Sequence, residues 1–404
     1  MEKECNFENP FRPGAGHKPP FLAGREAENE EFRRLLTQNT ILENMVLTGL
    51  RGVGKTVLLD SLKPVAIQNG WLWAGTDLSE SASISEVNIA LRLLTDLSVV
   101  TSSIILKSKR TPTGFSSETF NEKSLNFNAL MKIFNETPGL ISDKLKNVLE
   151  FVWQCLSAQK AQGLIFAYDE AQNLADQAEK GEYPLSLLLD VFQSLQKKDI
   201  RFMLVLTGLP TLFPKLVEAR TFAERMFRVV FLDRLDENDC REAILKPIEA
   251  SDCPLKLKKQ SVATIIRLSG GYPYFIQFIC KEVYDAFIQK IDSGKEALVP
   301  VDEIVRKLDT DFFAGRWSRA TDRQRELLSL IAKLKNSDME FSVQEIVDMS
   351  KTEEGKPFSS SHVNQMLVSL SNAGLVYKNR YGKYSFAVPL LGHFILRQVS
   401  NQTP

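Results

Sequence analysis

The sequence predicts an α/β protein in which a parallel sheet carries a phosphate-binding loop, followed by a helical lid and a winged-helix domain. Three observations predict it. An apolar run at 44–48 leads into Gly49-Leu50-Arg51-Gly52-Val53-Gly54-Lys55-Thr56, and a helical pattern follows to Asn69, closed by Gly70. Two further apolar runs, 163–168 and 201–206, have the length and composition of strands buried on both faces of a parallel sheet. From Asp236 onward helical periodicity takes over, until a hairpin-like stretch at 375–386.

The 404 residues are enough for two or three domains, each with its own core. Their expected bounds are 1–234 for the sheet domain, 235–316 for the lid and 317–404 for the winged helix. Fifty basic residues face fifty acidic ones, so no global field draws the chain onto nucleic acid and any such binding must be local. Cys5, Cys155, Cys240, Cys253 and Cys280 are scattered and odd in number, as reduced thiols of a cytoplasmic protein are. Three histidines far apart argue against a His-rich metal site. No apolar run has membrane-spanning length, and Met1-Glu2-Lys3-Glu4 does not read as a signal peptide.

Residues 9–20 are too rich in Pro and Gly for regular structure and should lie along the sheet domain. An amphipathic helix then runs through Leu35 and Leu36. In the 49–56 loop the glycines let successive amide N–H groups converge on an anion at a helix N-terminus. Lys55 would reach the β- and γ-phosphates and the Thr56 hydroxyl would ligate Mg²⁺. Gly49, Leu50, Arg51, Gly52, Val53, Gly54, Lys55, Thr56 and Val57 are therefore the candidate ATP-binding residues. The alternative is a Gly-rich surface turn, which leaves the flanking strand, helix and lysine unexplained.

Residues 71–75 read as the next strand. A helix follows with Ser83 as cap and Glu86 three residues on, presenting Val87, Ala90, Leu91 and Leu94 on one face. The polar stretch 98–140 reads as an insertion expected to be mobile, with helix only near 129–134. Its basic cluster, Lys107, Lys109 and Arg110, is either a partner contact or a solvated loop. After a long helix from 141 to 160, the 163–168 strand delivers Asp169 and Glu170 at its C-terminal edge. Asp169 would hold Mg²⁺, mostly through water, and Glu170 would act as general base on the attacking water. Thr56 and Asp169 are 113 residues apart. Helices are expected at 185–195, 238–248, 257–268, 273–291 and 301–313.

Beyond Arg316, Thr321, Ser342 and Ser359 or Ser360 are placed to cap three helices, and Gly374 ends the third. Residues 375–378 and 383–386 form a hairpin, and 389–398 a closing helix. A helix-turn-helix puts its later helix in the major groove, which would expose His362, Asn364, Gln365, Ser369 and Asn372. Asn364 and Gln365 could read adenine, with Lys378, Arg380 and Lys383 of the wing on phosphate. From Ser318 on there are 11 basic and 8 acidic residues, which permits DNA binding without demanding it.

The loop, the strand ending in Asp169-Glu170 and the turn Gly270-Gly271-Tyr272-Pro273, with helices and winged helix in this order, resemble AAA+ ATPases of the Orc1/Cdc6–STAND branch. The nearest likeness is to compact bacterial ATP-binding proteins with an Orc1-like domain. That resemblance covers nearly the whole chain and implies a Mg²⁺-dependent ATPase. It implies that the Gly24-Arg25-Glu26 segment closes over adenine, with Arg25 as a contact, and that Pro273 packs near the base. It makes Thr207 the candidate for a side chain sensing the γ-phosphate. Arg225, or else Arg228, would be an arginine finger completing a neighbouring subunit's site in an ATP-dependent homo-oligomer. The alternative is that both are surface arginines. Tyr274 stands where many relatives carry a lid arginine. Initiator-type members apply the winged helix to DNA, whereas STAND switches latch it on nucleotide through a His after the wing. Residues 386–390 contain no His. The resemblance thus leaves two readings: an ATPase that engages DNA or a DNA-processing partner, and a switch that binds a protein partner, the latter extending to a bacterial defence module.

Overall fold

The structure, a computed structural model, describes residues 7–14, 16–109, 120–251, 254–289, 299–353, 357–380 and 382–402. The chain forms two compact units. One comprises 25–48 and 58–231. The other comprises the residues up to 24, the phosphate loop 49–57, and everything from 232 on.

The first unit is the sheet. Its elements are α1 (Glu26–Leu36), β1 (Asn44–Gly49), α2 (Lys55–Gln68), β2 (Trp71–Ala74), α3 (Glu86–Thr101), β3 (Ile105–Lys109) and β4 (Phe120–Ser124). There follow α4 (Phe127–Glu136), α5 (Ile141–Ala158), β5 (Gly163–Tyr168), α6 (Pro184–Gln196), β6 (Phe202–Gly208), α7 (Leu212–Ala219), α8 (Ala223–Met226) and β7 (Phe227–Leu232). The five-stranded sheet has the order β2-β5-β6-β1-β7. Its β2, β5, β6 and β1 pair in parallel, with Trp71 opposite Gly163, Tyr168 opposite Leu206 and Thr48 opposite Gly208. Strands β1, β5 and β6 are buried at every position, as continuous apolar runs must be when helices cover both faces. Phe166 packs edge-to-face on Phe192 of α6 and Phe202 of β6, with ring centroids 5.2 and 5.7 Å apart.

One buried polar side chain staples the middle of this sheet. Asn44 Oδ1 accepts from Leu204 N (2.8 Å) and Gln196 Nε2 (2.9 Å), and its Nδ2 donates to Met226 O (3.1 Å). Buried amides with every group paired fix strand register as well as adding stability.

Three expectations change here. The N-cap of α3 is Ser85, which is extended and accepts from Asn88 N at 3.2 Å. Ser83 instead lies buried in a short 3₁₀ turn and donates to Ser79 O. The inward face of α3 is accordingly Ile89, Ala90, Leu93, Leu94 and Leu97, and Val87 is exposed. The 98–140 stretch is structured where it is described. Strands β3 and β4 form an antiparallel hairpin, and α4, capped by Asn126, packs on α3 and α5 while burying Leu130 and Phe134. The polar sequence hid this because only one stripe of α4 is apolar. Arg110 and the side chains of Lys107 and Lys109 lie outside the described residues.

The second unit holds α9 (Glu237–Glu249), α10 (Lys259–Ser269), α11 (Pro273–Ile288) and α12 (Val301–Lys307). A π-helical segment (Leu308–Phe313) and α13 (Ala314–Trp317) follow directly. Then come α14 (Asp322–Lys333), β8 (Phe341–Ser342), α15 (Val343–Thr352), α16 (Ser360–Asn372), β9 (Val376–Arg380), β10 (Lys383–Phe386) and α17 (Leu391–Gln402). The last group has winged-helix topology, with an antiparallel sheet ordered β8-β10-β9. Thr321, Ser342 and Ser359 each cap their helix as the sequence predicts, and Gly374 takes φ +71° at the end of α16. One apolar core runs through this unit from Phe275 and Ile279 to Leu367 and Phe394.

The Pro- and Gly-rich N-terminal segment belongs to the second unit. Asn9 Nδ2 donates to Asp285 Oδ1 (2.9 Å), Tyr284 Oη donates to Phe7 O (3.0 Å), and Phe11 is buried. The segment therefore runs along α11, and a Cβ at Gly16 would touch the Thr56 methyl at 3.5 Å.

Candidate functional site

The phosphate loop leaves the C-terminal end of β1 and re-enters regular structure at Lys55, the first residue of α2. Gly52 and Gly54 take φ +83° and +91°, conformations that a side chain strains. Gly49 is needed for space, because a Cβ there would come 2.4 Å from Leu232 O. The Lys55 ammonium donates to Gly49 O (3.0 Å) and Leu50 O (2.9 Å), so the cation is folded over its own loop. Val53 is buried beneath the loop, and Arg51 is exposed on it.

The turn 270–273 meets this loop. Gly270 and Gly271 have φ +59° and +80°, and Pro273 opens α11 at its first turn, where a missing N–H costs no hydrogen bond. Tyr274 N donates to Gly52 O at 3.1 Å, and a Cβ on Gly52 would sit 3.3 Å from the Tyr274 Cβ. Pro273 thus stands next to a residue that touches the loop.

At the C-terminal edge of the sheet, Asp169 is 3% exposed. Its Oδ1 accepts from Glu170 N at 2.7 Å and from the Thr207 hydroxyl, which is itself fully buried. Thr207 therefore orients Asp169. The next residue, Glu170, takes φ +52°, a left-handed turn that costs a non-glycine residue of order 1 kcal/mol and swings the carboxylate out to the surface.

Sequence reasoning missed four residues here. Gln172 Nε2 donates to Glu170 Oε2, and its Oε1 accepts from Leu209 N at 3.0 Å, so it bridges the glutamate to the end of β6. Lys215 Nζ donates to Gln172 O at 2.9 Å, and burial lowers its pKa. Asp60 on α2 is raised above its ordinary carboxyl value by partial burial and then by the charges of Asp169 and Asp77. Asp60 was findable, being four residues after Thr56 and so on the same helical face. Asp77 was not, because only a bridge between strand ends pairs it with Asp169.

This crowding of carboxylates suits a hard cation. Among the described residues no three His, Cys, Asp or Glu form a metal cage. Mg²⁺ tolerates that, since it keeps several waters and takes one or two protein oxygens plus substrate phosphates. In this unit Asp169 is the carboxylate that would hold it.

The other candidates are placed as follows. Arg25 stands at the N-cap position of α1 with no side-chain capping bond, is 6% exposed and pairs with Glu28 at 3.0 Å. Arg228 is tied to Glu31 at 3.0 Å, whereas Arg225 on α8 is exposed. On the winged helix Asn364, Gln365 and Lys378 are exposed, and Lys383 lies 3.4 Å from Glu345. The Arg380 side chain lies outside the described residues. Cys155, Cys240 and Cys280 are free thiols, and burial raises the pKa of each. No described helix is long and apolar enough to cross a membrane.

A domain family of unknown function (DUF8462) matches residues 310–395, the winged-helix part with the segment before it. No curated protein matches the sequence. Solved structures are similar over almost the full length. The Walker-type ATPase PABY2304 of Pyrococcus abyssi is 16% identical, with 94% of this chain and 97% of that one covered and a TM-score of 0.57. The Aeropyrum pernix ORC2 protein in its ADP form is 14% identical, with 96% and 98% covered and a TM-score of 0.55. Its ADPNP–ADP form is also 14% identical, with 96% of each chain covered and a TM-score of 0.52. At such identities the likeness establishes the fold alone, one shared with the Walker-type ATPase of Pyrococcus abyssi and the Aeropyrum pernix ORC2 protein.

Proposed function

We propose that this protein is a Mg²⁺-dependent ATPase whose nucleotide state controls engagement of DNA or a DNA-processing partner. The observation that carries the reading is the phosphate loop itself, with its two left-handed glycines and Lys55 at the start of α2. The Asp169–Glu170 pair, at the C-terminal end of a strand in the same parallel sheet, completes the set.

In this reading the loop amides of residues 50–55 cradle the β- and γ-phosphates, and Lys55 exchanges its own carbonyls for phosphate oxygens. Bound Mg²⁺ would neutralise charge on the β- and γ-oxygens. Asp169, held by the Thr207 hydroxyl, would hold that cation through water. Glu170 is released from Gln172 to take the proton of the attacking water. Arg225 is the better arginine finger, because Arg228 is already paired with Glu31. Arg25 and Pro273 remain our candidates for the base end of ATP, and the lid and winged-helix bounds at 235–316 and 317–404 remain our division of the C-terminal part.

Lys55→Ala should abolish nucleotide binding, while Glu170→Gln should bind ATP and lose turnover by about 10²–10⁴-fold. Unchanged hydrolysis in Glu170→Gln would remove the base assignment. Particle size with a slowly hydrolysed ATP analogue tests the oligomer, and Arg225→Ala should then assemble but not hydrolyse.

The target of the winged helix has a second reading, a protein partner. It is favoured by Val368, 58% exposed on α16 beside Asn364 and Gln365, and by the ion pair that occupies Lys383. A DNA titration across salt concentrations separates the two, since phosphate contacts give a steep salt dependence and protein docking gives no DNA shift.

A further inference from the structure

In the second unit a cavity of about 550 Å³ opens between α14, the end of α15 and the last turns of α17. That volume suits a small organic ligand. Trp317, Arg323, Arg325, Lys333, Phe358 and Gln398 line it. Asn364, Gln365, Val368, Lys378 and Lys383 do not, so the cavity is separate from the surface considered for DNA. Both rings carry a guanidinium. Arg325 Cζ lies 5.4 Å from the Trp317 ring centroid and its Nε donates to Trp317 O at 3.4 Å. Arg323 Cζ lies 3.7 Å from the Phe358 ring centroid. Trp317 is itself held edge-to-face on Phe394 at 6.0 Å. Packing on rings therefore fixes the two cations before any ligand arrives. Their carboxylate partners are looser. Arg325 pairs at 3.4 Å with Asp322, which is 97% exposed, Arg323 pairs with Glu326, and Lys333 pairs with Glu353 at 2.5 Å. Ion pairs this open to water hold weakly, so an entering acid displaces one at little cost. The Gln398 side chain, which has no hydrogen-bond partner among the described residues, is left to orient a ligand.

We propose that this cavity binds a small aromatic carboxylate, with its ring against Trp317 and its acid on Arg325 in place of Asp322. The charges select a single acid. Arg323, Arg325 and Lys333 line the cavity together with Asp322, Glu326 and Glu353, so the lining carries no net charge. A monoanion exchanges with one exposed carboxylate and keeps the guanidinium satisfied in bidentate geometry. A phosphate dianion or a nucleotide would have to break two pairs and leave two carboxylates facing its own charge. Ser350 also lines the cavity, and its Oγ accepts from Phe358 N at 3.1 Å. Phe358 directly precedes Ser359, the cap of α16, so an occupant would touch the start of that helix. The inference goes beyond the nucleotide reading and uses none of its residues.

The test is equilibrium dialysis of the full 404-residue chain against 2-naphthoate and its neutral counterpart 2-naphthalenemethanol. Wild type should bind about one equivalent of 2-naphthoate with a Kd on the order of 0.1–1 mM, as a ligand of this size allows. It should bind the neutral compound at least about tenfold more weakly, the loss expected for one charge-assisted contact. Arg325→Gln should weaken 2-naphthoate by a similar factor. Asp322→Asn removes the competing carboxylate at an exposed position and should tighten 2-naphthoate by about two- to fivefold. That variant decides the matter if Arg325→Gln does not fold. AMP is tested as a competitor on Lys55→Ala, where the loop is disabled, and should not displace 2-naphthoate there. No binding of 2-naphthoate in the millimolar range, equal binding of the neutral compound, or an affinity unmoved by both cavity substitutions overturns the assignment. Displacement by AMP in Lys55→Ala overturns the preference for a single acid. None of these readouts involves nucleotide hydrolysis, so their failure leaves the function proposed above untouched.

Discussion

Thr207→Val tests whether a buried hydroxyl holds Asp169 in place. The substitution keeps the branched shape at a fully buried position, so it opens no cavity and deletes a single donor. Asp169 Oδ1 keeps the Glu170 N–H at 2.7 Å and loses the Thr207 hydroxyl. A hydrogen bond to a charged group contributes about 1.5–3 kcal/mol. The added methyl returns up to about 0.8 kcal/mol of apolar burial. The expected net loss is then about 1–2 kcal/mol, read by urea unfolding at pH 7 without nucleotide. A looser Asp169 should also raise the Mg²⁺ needed for half-maximal hydrolysis by roughly five- to thirtyfold. Thr207→Ser, which keeps the donor, should retain the wild-type Mg²⁺ requirement. Urea stability within about 0.3 kcal/mol of wild type, together with an unshifted Mg²⁺ requirement, would refute the reasoning.

Other outcomes follow from single contacts. Asn44→Leu should destabilise by at least about 2 kcal/mol, because Gln196, Leu204 N and Met226 O lose their partner inside the sheet; chemical denaturation reads it. Gly52→Val must adopt φ +83° against the Tyr274 side chain, so it should lose about 1–2 kcal/mol of stability together with nucleotide affinity. Gln172→Ala frees Glu170 from its bridge and should change turnover at saturating ATP while leaving ATP affinity within about twofold, read by steady-state kinetics beside a binding titration. Ser342→Ala should cost about 1 kcal/mol at pH 7. Ser342 hydrogen bonds, then Lys383, lower the Glu345 pKa, so this carboxylate's stabilisation is present above its ordinary value of 4.5. It is lost as pH falls through the lowered value, so the gap between mutant and wild-type melting curves should narrow there by the carboxylate's share and keep the part due to the Ser342 cap on Glu345 N.

The parallel strands and capped helices were legible because their signals are local. Residues 45–47, 163–168 and 202–206 are apolar without interruption, and Thr321, Ser342 and Ser359 sit one residue before their helices. Ser83 and Ser85 show the limit. Both precede an acidic first turn, and only the burial of Ser83 beside Ser79 decides between them. The 98–140 stretch misled because α4 draws its apolar partners from α3 and α5, dozens of residues away. In the site, Lys55, Thr56, Asp169 and Glu170 belong to fixed spacings and were found. Gln172 and Asp77 belong to none. Each is defined by what the fold brings beside it, the end of β6 for Gln172 and Asp169 for Asp77.

The loop at 49–57 clusters with residues from 232 onward, and the chain passes between its two units four times, at 24/25, 48/49, 57/58 and 231/232. No single cut can therefore release either half intact. A fragment beginning at residue 232 would carry the Tyr274 amide but lack the Gly52 carbonyl it binds, and a fragment ending at 231 would keep the loop stripped of that clasp. Any recombination that exchanges the C-terminal portion among homologues must bring a matching loop sequence with it, so the two stretches are expected to be inherited together.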